Sequence, residues 1–115
     1  MVTFKRDNLI CERFILGSLQ VNSYLLYEAD GRQAWLIDPA EDSATLLARI
    51  KELDLTDVTI FLTHGHADHI AGVSYYRKQI PGCRVAISRD DADMLTDPDL
   101  NLSTWLGEPI SLAPA

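Results

Sequence analysis

The chain has 115 residues, 47% hydrophobic and 23% charged, with 17 acidic residues against 10 basic and a formal net charge of −7. That length suits one domain over residues 1–115, able to bury roughly 65% of the surface its unfolded chain exposes, and the composition excludes global disorder. The negative charge opposes phosphate backbones and anionic lipid, so no nucleic acid and no membrane surface is expected as a partner, and no apolar stretch approaches the ~18 residues of a membrane span.

The N-terminus, MVTFKRDNLICER, carries Arg6, Asp7 and Glu12 where a signal-like segment would be apolar, so a cytoplasmic location is expected. Strands are predicted over 9–16, 21–29 and 33–38. Gly17-Ser18 breaks the first pair, Asp30-Gly31 gives a hairpin turn, and Pro39 stops the last ladder. Asp42 or Ser43 can cap a following helix, in which Leu46, Leu47, Ile50 and Leu53 recur on one face. VTIFL, 58–62, is a short apolar run of the kind found in a strand buried on both faces.

Ile70, Val73 and Ile80 predict a second amphipathic helix, closed by Pro81-Gly82. CRVAIS, 83–88, reads as another buried strand, RDDADMLT, 89–96, as a short helix, and the tail as loop or extended chain. The order β-β-β-α-β-α-β-α implies an α/β layered domain with a mixed sheet. Asp90, Asp91, Asp93, Asp97 and Asp99 lack the spacing of a calcium loop and read as a solvated face. Cys11 and Cys83 are far apart, outside any metal-ligand spacing, and are expected to be reduced core thiols. Tyr75, Tyr76 and Arg77 are expected to give one core tyrosine and a solvated arginine, and Trp35 and Trp105 core and surface-covering residues.

All three histidines fall in the window THGHADH: His64, His66 and His69, with Asp68 among them. The window follows a predicted strand, and open α/β sheets place their sites at the carboxyl ends of strands. In an extended segment His64, His66 and Asp68 project to one side, with the small Gly65 and Ala67 between them. Imidazoles this close repel when protonated, so the cluster favours neutral rings, which together with a carboxylate suit zinc, iron or manganese. Acid–base catalysis without metal is the competing use, but it needs fewer than three histidines.

THGHADH resembles the H-x-H-x-D-H signature of the metallo-β-lactamase-fold hydrolases, and VNSYLLYEADGRQAWLIDPA resembles the opening hairpin of their glyoxalase II-like (hydroxyacylglutathione hydrolase-like) members. The resemblance runs from about residue 9 onward and implies the N-terminal half of an αββα sandwich: a mixed sheet with helices on one face. It implies that His64 and His66 bind a first metal and Asp68 and His69 a second, with two zinc ions in a complete site and iron or manganese as alternatives. Asp38 would orient the histidine loop without binding metal itself, and Asp68 would also help position the nucleophile. The implied reaction is hydrolysis of a small thioester, ester, lactone or amide.

The family's remaining ligands come from the second half of its sandwich, and after His69 this sequence has no histidine. The chain is therefore expected to be a fragment of a longer hydrolase, incomplete by itself, or to be completed by a partner: a second copy, forming a homodimer, or a separate C-terminal half. Two other readings stand beside the hydrolase: a non-haem iron protein of the sulfur dioxygenase type, and a non-enzymatic metal-binding half-domain that self-associates.

Overall fold

Alternating apolar and polar residues in the first third of the chain build antiparallel strands, and apolar runs separated by helices add parallel ones. The computed structural model describes residues 2–106 and 109–115. Its strands are β1 (Val2–Arg6), β2 (Leu9–Leu16), β3 (Val21–Glu28), β4 (Gln33–Ile37), β5 (Asp57–Phe61) and β6 (Arg84–Ala86). They form one sheet in sequence order, antiparallel from β1 to β4 and parallel from β4 to β6. α1 (Ala44–Glu52) crosses from β4 to β5, and α2 (Ala67–Ile70) with α3 (Val73–Gln79) crosses from β5 to β6. A 3₁₀ helix (Arg89–Leu95) and α4 (Ser103–Leu106) follow. No helix among the described residues is long and apolar enough to cross a membrane.

The helices cover one face of the sheet. Leu25, Leu36, Val58 and Ile60 are fully buried in a core they share with Leu46, Leu47 and Ile50 of α1 and Val73 and Tyr76 of α3. Ser43 caps α1, its hydroxyl accepting from the Leu46 N–H at 3.1 Å. The expected mixed sheet with helices on one face is therefore present.

The other face is open, which corrects the expectation that 58–62 and 83–88 are buried on both faces. Phe4, Cys11, Leu26, Trp35 and Thr59 stand opposite one another across five strands on this face. Phe61 on β5 is 39% exposed, and β6 is a three-residue edge strand with no fully buried side chain. Trp35 is not a core residue: it is 46% exposed and packs against Phe61 with ring centroids 4.9 Å apart. Trp105 projects into solvent. Cys11 and Cys83 are free and only half-buried, with burial raising both thiol pKa values above the ordinary range.

Four further details differ from the sequence reading. β1 was not expected, because its last two residues are Lys5 and Arg6. It pairs with β2 through a tight turn in which Asp7 takes a φ of +54°. The helix expected from Ile70 to Ile80 divides at Ala71-Gly72, where the Gly72 N–H donates to the Pro39 carbonyl at 2.9 Å. A Cβ at Gly72 would stand 2.7 Å from that oxygen, so only glycine permits the approach. The tail, expected as loop or extended chain, also carries the short helix α4 and is tied down by hydrogen bonds. Buried Asn101 donates to the carbonyls of Met94 and Ile110, both at 2.8 Å, and Arg77, expected to be solvated, donates to the carbonyls of Ala113 and Pro114.

One ionic cluster lies under the sheet. Glu12 is fully buried and accepts from Arg49 Nε at 2.8 Å, from Arg49 Nη2 at 3.0 Å and from the Tyr27 hydroxyl. Burial alone would raise the Glu12 carboxyl, but these hydrogen bonds and the guanidinium charge hold it below its ordinary value. The same burial, with the Glu12 partner, pushes the Tyr27 phenol up to about 12. Replacing Arg49 by alanine strands the carboxylate, so Arg49→Ala is expected to destabilise the fold by about 3 kcal/mol in urea unfolding. Glu12's stabilising contribution is present above its ordinary pKa of 4.5 and is lost as pH falls through the lower folded value. Arg49→Ala should accordingly flatten the acid limb of the stability profile.

Candidate metal centre

β5 ends at Phe61, and the next residues curl over the carboxyl edge of the parallel strands. Asp38, immediately after β4, holds this curl. Its φ of +50° is left-handed, a conformation that Asp tolerates better than most residues. The conformation is fixed on both sides: the Asp38 N–H donates to the Phe61 carbonyl at 3.0 Å, and its own carbonyl accepts from the Ser23 hydroxyl at 2.6 Å. The side chain, buried with its backbone, faces the histidine loop.

Both Asp38 oxygens are engaged. Oδ1 accepts from the Thr63 N–H at 2.8 Å, and Oδ2 from the Thr63 hydroxyl at 2.5 Å and from His69 Nδ1 at 2.9 Å. Because the Thr63 hydroxyl gives its single proton to Asp38, it meets His64 Nδ1, 3.1 Å away, with a lone pair. The network is satisfied when Nδ1 carries the proton on both His64 and His69. Each ring then keeps the lone pair of Nε2 free. Thr63 is a functional residue that the sequence reading passed over. The signal for it was its place directly before the first histidine, at the end of a strand.

The structure gathers the three rings. The His64 centroid lies 3.9 Å from that of His69 and 4.7 Å from that of His66, the latter pair edge to face. Asp68 Oδ2 is 3.5 Å from His69 Nε2, the opposite side of that ring from Asp38. Asp38, His64 and His69 each offer a donor atom within 4.8 Å of the others. His66 and Asp68 are beside this group rather than in it. Burial lowers the His64 pKa below its ordinary 6.5, and the neighbouring His69 and His66 lower it further. His64 is therefore a neutral imidazole at neutral pH, the form that binds metal.

These donors are imidazole nitrogens and carboxylate oxygens, half-buried at a strand end, with hydrogen bonds already fixing two of the rings. Such a set fits zinc, iron or manganese. Gly65 allows the loop to lie flat on the 3₁₀ helix: a Cβ there would meet Met94 Cβ at 2.4 Å.

The family model described as "Metallo-beta-lactamase superfamily" matches residues 16–111, and the chain belongs to that superfamily. The chain is 34% identical over 106 residues to the probable metallo-hydrolase YqgX of Bacillus subtilis, covering 90% of this chain and 48% of YqgX. It is 46% identical over 68 residues to the mitochondrial persulfide dioxygenase ETHE1 of Mus musculus, covering 58% of this chain and 27% of that protein. Among solved structures, the BLEG-1 B3 metallo-beta-lactamase superposes with a TM-score of 0.77 at 38% identity, covering 91% of this chain and 50% of that one. The chain thus spans half or less of the length of these relatives.

Two substitutions test the arrangement. In Asp38→Asn one oxygen is replaced by a donor facing other donors, so stability should fall by about 1–3 kcal/mol in urea unfolding. Zinc affinity should fall about 10–100-fold in a chelator competition, as is usual when the partner of a liganding ring is changed. Gly65→Ala cannot be absorbed by a flexible side-chain end and should cost about 1–3 kcal/mol, with amide shifts in the 3₁₀ helix.

Proposed function

We propose that this chain is the metal-binding part of a divalent-metal-dependent hydrolase of the glyoxalase II-like type, acting on a thioester or ester carbonyl. The observation that carries the reading is the Asp38–Thr63 network. It directs the free Nε2 atoms of His64 and His69 away from Asp38, and Asp68 lies on that outer side of His69. His64 and His66 are the ligands of one metal in this reading, and Asp68 and His69 of a second. A zinc ion bound there would lower the pKa of its water towards neutrality and so supply a nucleophile at neutral pH. Asp38 and Thr63 hold the rings, and Asp68 positions the water's proton.

A layer packing on the open sheet face belongs to this proposal. We assign it to a C-terminal half, because the relatives are about twice as long where the match covers nearly all of this chain. That half would cover Trp35 and Phe61 and supply the remaining ligands. The redox reading retains one specific support, the 46% identity to a protein named a persulfide dioxygenase.

The test is metal analysis of protein expressed without added zinc, then thioester hydrolysis and oxygen consumption with a persulfide, alone and with the C-terminal half of YqgX added. Metal-dependent hydrolysis abolished by Asp68→Asn and His69→Ala supports the hydrolase. Oxygen uptake with iron bound replaces it by the dioxygenase. Metal binding with sedimentation as a dimer and neither activity leaves a self-associating metal-binding half-domain.

A further inference from the structure

A groove of about 650 Å³ is lined by Asp68 of the histidine loop and by residues 16–19 and 21 at the β2–β3 turn. Its apolar wall is made by Leu16, Leu19 and Val21 on the hairpin side, with Ile110 of the tail among the other lining residues. Leu19, 61% exposed at the tip of the turn, leaves its side chain open to the groove. Glu41 and Asp42, which follow β4, line the same groove, and every ionisable group among its described lining residues is an acid. Neither Glu41 nor Asp42 forms an ion pair among the described residues, so their charge acts on whatever enters.

Resting on the hydrolase reading for its link to chemistry, we infer that this groove receives the acyl chain of the substrate and selects one that is apolar and neutral or ammonium-bearing over one that carries a carboxylate. Leu16 and Leu19 offer surface to a hydrocarbon segment, and Asp68, 3.5 Å from His69 Nε2, lines the same groove, so an acyl chain lying there has its carbonyl end beside the histidine loop. A carboxylate at the far end of that chain would meet Glu41 and Asp42. One like charge at about 4 Å in water costs about fivefold in affinity, and an ammonium gains by a similar factor. The difference between the two chains should therefore be tenfold or more.

Binding can be read without any turnover. The metal-free full chain is titrated with pentylammonium and with pentanoate while backbone amide shifts are followed by NMR. Pentylammonium is expected to shift Leu19, Ala71 and Ile110 and to bind at least tenfold more tightly than pentanoate. In the Glu41→Gln/Asp42→Asn double variant, both side chains being exposed, the ratio should fall several-fold towards one, Asp68 remaining as the one acid of the described lining. Equal binding of the two probes, a ratio unchanged in the variant, or shifts confined to other regions overturns the inference. The hydrolase reading fails separately. If the probes bind as expected but no ester is cleaved in the test above, the hydrolase falls and the groove's selectivity stands. If butyryl and succinyl thioesters are cleaved with equal kcat/KM in both wild type and variant, the groove inference falls and the hydrolase stands.

Discussion

The Asp38 carboxylate is the contact on which the site depends. It sits at the seam between antiparallel and parallel halves of the sheet, and its two oxygens collect three donors from the segment after β5. Without that acceptor, Thr63 and His69 would need water or each other, and the loop would lose its reason to curl over the strand ends. The left-handed φ is the cost of aiming the side chain inward, and the Ser23 and Phe61 hydrogen bonds offset it on either side. Rings fixed through Nδ1 present Nε2 without further reorganisation, which is what a metal-binding cluster requires before the ion arrives.

Two close approaches carry the same constraint outward. Gly72 brings the start of α3 against the backbone of Pro39 and Glu41, and Gly65 brings the histidine loop against Met94. The chain around the site is thus clamped between the segment after β4 and the 3₁₀ helix. Tyr76 closes the first clamp: its hydroxyl donates to the Glu41 carbonyl at 2.9 Å and accepts from the Ser43 N–H at 3.1 Å. The core tyrosine of α3 thereby holds the start of α1 and one wall of the groove. Burial and neighbouring acids push its phenol well above the ordinary range, so it is a fixed hydrogen-bonding post rather than an acid or base.

What the sequence disclosed follows the range of the interactions. β2, β3, β4 and α1 rest on short-range patterns, alternation and helical spacing, and those patterns are present in LICERFIL, VNSYLLYE, QAWLI and ATLLARIKE. The histidines were legible because they are adjacent in the chain. β1 was not, because edge strands tolerate the Lys and Arg that argue against a strand elsewhere. The division of the second helix depends on Gly72 meeting a carbonyl from a different part of the chain. Apolar composition made β5 look buried on both faces, yet it reports only that both faces are apolar, and one of them is open among the described residues. Thr63 carries no signal beyond its position before His64, since its role exists only because Asp38 stands beside it.

The same distinction separates the chemistry from the substrate. The candidate metal donors come from one short window held in place by Asp38, whereas the groove is assembled from the β2–β3 turn, the segment after β4, α2 and the tail. Relatives whose names denote a dioxygenase, a probable hydrolase and a lactamase all match this one chain. A scaffold shared so widely cannot by itself select a reaction. Selection has to come from parts that vary at little cost to the sheet, such as the exposed Leu19, Glu41 and Asp42. In this chain those groove residues are apolar or acidic, and Asp68 of the histidine loop lines the same groove. Under the groove proposal, their charge would act on what approaches the site before any metal does.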